Sequence, residues 1–210
     1  MERINSEVSF DSYLKKRSDI HLIRKLWHMF TGSLGIFCFY FFDVDKVSMT
    51  LSLAKLTFVA FLVDFIRLKF SGMNSSVMYL MKPFMRDSEA KSLSGLPFYA
   101  LGVTLSLFFF EEKVAILSIL FLVFSDPIAS YFGVLFGKQK ILPNKTFEGC
   151  VAAYVTCYFL TLLYGLSLGV NGFDLFIFSL LAGAVGMLSE AFSLGLDDNL
   201  TIPVVAGSGL

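Results

Sequence analysis

The sequence predicts an all-α, polytopic membrane helix bundle of about six to seven transmembrane helices, with an interfacial amphipathic helix between two of them. Three observations predict it. Hydrophobic residues fill 56% of the 210 positions and charged residues only 16%, with a mean hydropathy of +0.72, which is too apolar for a soluble domain. The apolar residues are gathered into stretches close to the ~20 residues that cross ~30 Å of hydrocarbon. The charges are gathered at the ends of those stretches, mostly at one side of the predicted membrane. The formal net charge is zero, which argues against a nucleic-acid partner.

The chain reads as a cytoplasmic N-terminal leader, 1–23, followed by a single membrane-embedded domain, 24–210. The leader has mixed charge and no signal-peptide pattern; its Lys15, Lys16 and Arg17 serve as a topology signal or touch anionic lipid. The predicted spans are Leu26–Phe42, Val47–Ile66, Ser94–Phe110, Val114–Phe136, Phe147–Val170 and Phe173–Leu196. The stretch Leu200–Leu210 is apolar but too short to cross alone, and is expected as a half-helix tucked into the bundle. Between the second and third spans, Val77, Leu80, Met81, Phe84 and Met85 follow a helical period beside Lys82 and Arg86, which predicts a helix lying on the membrane surface. Fourteen Lys and Arg residues fall on the side of the N-terminus and two, Lys46 and Lys113, on the other. The positive-inside rule therefore places the N-terminus in the cytoplasm; Lys55 alone lies within a span. Cys38, Cys150 and Cys157 form no C-x-x-C pair and read as small apolar filler.

Ionisable groups at membrane depth are costly, so their clustering marks candidate function. The first span opens Arg24-Lys25-Leu26-Trp27-His28, either an interfacial anchor or part of a site. In the fourth, Ser125-Asp126-Pro127 reads as a helix restart with Asp126 as N-cap and Pro127 in the first turn. Broken helices at this depth are tolerated where they line a cavity, so Asp126 is a cap, a metal ligand or both. The loop to the fifth span ends Pro143-Asn144-Lys145-Thr146-Phe147-Glu148-Gly149. Lysine, threonine and free N–H groups at a helix start make a phosphate seat, or simply a basic loop in which Glu148 favours the helix dipole; the Walker spacing is absent. In the sixth, Gly183, Gly186, Glu190, Ser193 and Asp197 share one face, followed by Asp198 and Asn199. Glu190 lies about two turns inside the predicted end.

Five motifs taken together resemble one family. They are R-K-x-x-H from Arg24, R-D-S-E-A-K-S-L-S-G from Arg86, S-D-P-I-A-S-Y-F-G-x-x-F-G from Ser125, N-K-T-F-E-G from Asn144 and S-E-A-F-S-x-x-x-D-D-N-L-T-I-P from Ser189. The chain is similar, from Arg24 to Pro203, to the CTP-dependent lipid-alcohol kinases: dolichol kinase, phytol kinase and the CTP-type diacylglycerol kinase. Ser125 stands where a glycine often precedes the aspartate. The extra N-terminal spans of dolichol kinase are missing, so the chain looks like the short, phytol-kinase-like members.

The resemblance implies a kinase that moves the γ-phosphoryl group of CTP to a lipid alcohol at the cytoplasmic face, in a bacterial cytoplasmic (inner) membrane. Phosphoryl transfer needs a metal, cations on the phosphates and an oriented hydroxyl. The expected metal is Mg²⁺, held by Asp126 with Asp198 and Asn199. Lys145 and Thr146 are expected on the nucleotide phosphates. Arg24, Lys25 and Arg86 are expected to neutralise charge, with His28 and Glu148 as further nucleotide-binding candidates. Glu190 or Glu89 is expected to take the hydroxyl proton. Two other readings stand beside this one: a phosphatidate cytidylyltransferase, which also uses CTP and Mg²⁺, and a small membrane transporter. The outer halves of the spans hold little polarity beyond Lys55, which argues against a transport path.

Overall fold

The computed structural model describes residues 22–142, 145–192 and 196–210. The leader up to residue 21, the Pro143 and Asn144 turn and Ser193 lie outside them. The described chain is mostly helical: α1 (Leu22–Phe41), α2 (Lys46–Lys69), α3 (Ser71–Leu80), a 3₁₀ turn (Asp87–Ala90), α4 (Gly95–Phe109), α5 (Glu112–Phe136), α6 (Phe147–Ser167), α7 (Phe173–Ala191) and α8 (Asp198–Gly209). Four of these, α2, α5, α6 and α7, are long and apolar enough to cross a membrane. Helix α1 has 20 residues but carries Arg24, Lys25 and His28 in its first two turns, and α4 has 15.

Small residues set the packing, as expected where the solvent outside the bundle is as apolar as the side chains within. Helices α6 and α7 form a hairpin closed by Gly172, whose φ of +87° suits glycine. They pack along their length with Gly165 on Leu175, Gly183 on Tyr154 and Gly186 on Cys157. Helix α8 lies against α4 where Gly102 meets the backbone of Asn199 and Leu200. Helix α5 runs through the middle, and its Leu117 and Phe121 join Cys157, Ala182 and Ala206 in the core. The outward faces carry Leu51, Phe58, Leu62, Leu163 and Leu181, all exposed, as surfaces for hydrocarbon.

Two expectations need correcting. The fourth predicted span does not break at Asp126-Pro127. Ser125 and Asp126 both have right-handed helical backbones, and Phe121–Ser125 winds as a π-helical turn inside α5. Pro127 lacks an N–H and its ring collides with the carbonyl four residues back in an ordinary α-helix; the wider turn absorbs both faults without ending the helix. The surface helix between α2 and α4 is also shorter than its apolar period implied. It ends at Leu80, leaving Phe84 and Met85 in turns.

What replaces the long surface helix is a polar knot. Arg67 is fully buried. Its Nε donates to Asp64 Oδ1 at 2.6 Å, Nη1 to Asn74 Oδ1 at 2.8 Å and to the Glu89 carbonyl at 2.9 Å, and Nη2 to the Ser92 carbonyl at 2.9 Å. The second oxygen of Asp64 accepts from the Ser94 backbone N–H at 2.6 Å. One guanidinium thus ties the end of α2 to α3 and to the segment that leads into α4. Arg67→Leu removes it and leaves Asp64 buried without a countercharge. We expect a loss of about 3–5 kcal/mol, read as a fall in thermal unfolding temperature in detergent. Arg67→Lys should not restore it, because one ammonium cannot reach four acceptors held in a planar fork.

Candidate active site

Four elements converge on one cluster of charge. Helix α5 supplies Asp126 just past its π turn. Helix α7 supplies Glu190 in its last turn, and α8 supplies Asp198 in its first. A short antiparallel hairpin, β1 (Lys140–Leu142) with β2 (Lys145–Thr146), supplies Lys145. Sequence reading treats this hairpin as a loop, because strands of three and two residues leave no periodicity to read.

Carboxylate oxygens of Asp126, Glu190 and Asp198 lie within 4.8 Å of one another. Lys145 Nζ donates to Glu190 Oε1 at 2.7 Å and to Asp198 Oδ2 at 3.0 Å. Burial works against the Lys145 charge, but Glu190 and Asp198 outweigh it and hold the ammonium above its usual pKa. Glu190 is 3% exposed, and its Oε2 has no hydrogen-bond partner among the described residues. Three carboxylates gathered this closely are a donor set that suits a divalent cation with oxygen ligands.

The hairpin is held over this cluster by close backbone contact. Thr146 caps α6, its Oγ1 accepting from the Gly149 N–H at 3.2 Å. A Cβ on Gly149 would lie 2.9 Å from the Ala129 carbonyl, and one on Gly133 would lie 3.0 Å from Thr146 Oγ1. Glu148 turns the other way, toward an outer groove with Phe132, Phe147 and Val151. There its Oε1 accepts from the Lys138 N–H at 3.0 Å.

A second group of charges flanks the first. Arg24 Nη1 lies 3.4 Å from Glu89 Oε1, both residues buried. Glu89 Oε1 also accepts from the Gly95 N–H at 3.3 Å, and Oε2 from the Arg86 N–H at 3.3 Å. Glu89 is thereby committed to holding the start of α4. Asn199 is 3% exposed; its amide donates to the Gly95 carbonyl at 3.5 Å rather than facing the carboxylates. Lys25 and His28 lie close enough to feel the charge of Asp126, and Lys25 that of Glu190. The His28 ring packs on Tyr99 with centroids 4.7 Å apart, and Tyr99 Oη donates to the His28 carbonyl at 3.1 Å. Asp197 caps α8, accepting from the Asn199 N–H at 3.0 Å. Burial pushes its carboxyl pKa up, while that hydrogen bond and the charges of Arg86 and Arg24 pull the other way.

The structure therefore brings Asp126, Lys145, Glu190 and Asp198 together and sets Arg24, Lys25 and His28 beside them. It places Glu89, Glu148, Thr146 and Asn199 in contacts that build the walls. Sequence reading counts Asp64 and Arg67 among the charges gathered at the cytoplasmic ends and does not pair them. Opposite charges three residues apart inside an apolar stretch were the available signal.

Residues 13–192 match the Cytidylyltransferase family. The chain is 36% identical over 158 residues to the CTP-dependent diacylglycerol kinase 1 of Schizosaccharomyces pombe, covering 70% of this chain and 72% of that protein. It is 30% identical over 215 residues to the chloroplastic phytol kinase 1 of Arabidopsis thaliana, covering 94% and 68%. Over 189 residues it is 27% identical to Uncharacterized protein RP860 of Rickettsia prowazekii, covering 89% and 91%. No solved structure matches it.

The carboxylate cluster carries its own prediction. Mn²⁺ added to the purified protein should bind at one site, seen by electron paramagnetic resonance. Asp126→Asn should weaken that binding at least about tenfold, or ~1.4 kcal/mol.

Proposed function

The chain belongs to the Cytidylyltransferase family, among its CTP-dependent lipid kinases, and from that membership we propose that it transfers the γ-phosphoryl group of CTP to the hydroxyl of a lipid alcohol at the cytoplasmic face of its membrane. Diacylglycerol is the leading acceptor and phytol the next, following the names of the relatives. The observation that carries the reading is the meeting of Asp126, Glu190 and Asp198 around Lys145, with Arg24 and Lys25 alongside. Acids for a cation and a base for phosphate meet where these helix ends come together.

Asp126 and Asp198 would hold Mg²⁺, which prefers one or two carboxylates and keeps waters; it would neutralise phosphate charge. Lys145 seats the γ-phosphate, positioned by its place on the hairpin. Arg24 and Lys25 balance the charge that grows on the departing CDP. Glu190 Oε2, buried and without a hydrogen-bond partner among the described residues, accepts the hydroxyl proton. The lipid oxygen bonds to the γ-phosphorus as the bond to the β,γ-bridging oxygen breaks, and CDP leaves.

For topology, we take α1 and α4 as crossing together with the four longer helices, giving six spans, with α8 as a half-helix inside the bundle. The cytoplasmic N-terminus follows from the Lys and Arg bias.

The test offers purified protein, Mg²⁺ and CTP labelled at the α- or γ-phosphate to diacylglycerol, phytol, longer prenols and phosphatidate. γ-Label should enter a lipid alcohol; α-label entering phosphatidate would instead establish a cytidylyltransferase. Asp126→Asn and Lys145→Ala should each lower transfer at least about 10²-fold while the protein still inserts and folds. Full activity in either variant would remove that residue from the mechanism.

A further inference from the structure

A long apolar groove, about 310 Å³, lies between α1, α2, α4 and the first half of α5, apart from the charged cluster. Its polar lining residues, His28, Thr31 and Tyr99, all sit near one end, a single turn from Arg24 and Lys25. The other end is closed by apolar side chains, Phe39, Leu107 and Ile116 among them. From His28 to Phe39 the helix rises about 16 Å.

The groove is a gap in packing rather than a crease between touching helices. Gly32 of α1 is pressed against Val123 and the Tyr99 hydroxyl, whereas a Cβ on Gly35, one turn on, would meet nothing within 4 Å. Helices α1 and α2, consecutive in sequence, hardly touch. An unfilled gap forfeits the dispersion contacts that hold membrane helices together, and apolar walls do not retain water. The natural filling is hydrocarbon, and the opening between α1 and α2 faces the bilayer that supplies it.

We propose that this groove holds one hydrocarbon chain of the acceptor lipid, entering sideways between α1 and α2, with the hydroxyl presented at the His28 and Tyr99 end toward the charged cluster. The inference rests on the lipid-kinase reading and extends it to a specific seat, with Gly35 as the residue that keeps the seat open to a long chain.

A Cβ at position 35 meets nothing within 4 Å, so Gly35→Phe has room to enter the groove and the fold should be kept. For this variant kcat/KM with 1,2-dioleoylglycerol should fall at least about tenfold, and with 1,2-dihexanoylglycerol stay within about twofold, because only the longer chain reaches that level. If prenols are the acceptors, phytol and dimethylallyl alcohol replace that pair. An equal effect on long and short acceptors, or none on either, would overturn the proposal.

A second measurement needs no turnover. Trp27 is the single tryptophan of the chain and lines the groove. Diacylglycerol with 9,10-dibromostearoyl chains should quench it more than the same mole fraction of equally brominated phosphatidylcholine, and Gly35→Phe should abolish the excess. Equal quenching by both lipids would mean that only bulk bilayer lipid occupies the groove, and the proposal fails. Selective quenching by a protein that phosphorylates no lipid would retain the groove and refute the kinase reading instead.

Discussion

The bundle is organised around one ammonium group. Lys145 reaches from a surface hairpin to Glu190 and Asp198, and Asp126 stands beside them. Three carboxylates this close repel one another strongly in surroundings poor in water. They stay together only because four separate elements are fixed to bring them there. The π turn sets Asp126, the last turn of α7 sets Glu190, the cap of α8 sets Asp198, and the glycine contacts of α6 with α5 set the hairpin. The cluster is a constraint on the whole architecture, since shifting any one helix end would leave a buried charge uncompensated.

A second network secures the other side. Arg67 ties Asp64, Asn74 and the carbonyls of Glu89 and Ser92 into one unit. Glu89 passes that rigidity to Arg24 and to the start of α4, and Gly95 passes it to Asn199 on α8, next to Asp198. Gly95 sits closely against Asn199 and Arg24, whose side-chain ends lie 3.1 and 3.3 Å from where a Cβ would be. The two networks meet at α8, a helix of 12 residues with little membrane-crossing capacity of its own.

The helices were legible because apolar length is a strong signal, and their bounds agree with the sequence to within a few residues, α7 being the widest miss. The gathering of charge at one end of the spans was legible for the same reason. Pairings were not. Lys145 with Glu190 depends on a hairpin too short to leave a pattern. The turning of Asn199 toward Gly95 and of Glu148 toward the outer groove depends on side-chain directions that spacing does not encode. Asp126-Pro127 misled in an instructive way: the same two residues that start a helix in a loop can be carried through a continuous helix if a wide turn precedes them. The family was legible from five weak motifs in order, whereas the acceptor lipid was not, because apolar walls leave no sequence signature.

The wide turn at Phe121–Ser125 also fixes the rotational phase of everything after it. An α-helix advances about 100° per residue, and a π turn holds one residue more than an α turn in the same rise. The two halves of α5 are therefore indexed differently, the first against the core and the second against the acidic pocket. A single residue lost within Phe121–Ser125 would turn the wide turn back into an ordinary one and leave the aspartate facing the same neighbours, whereas a residue lost elsewhere in α5 would swing it about 100° away. Along this helix the wide turn is therefore the one place where a single-residue gap can be absorbed without disturbing the site, and length changes on either side of it would not be.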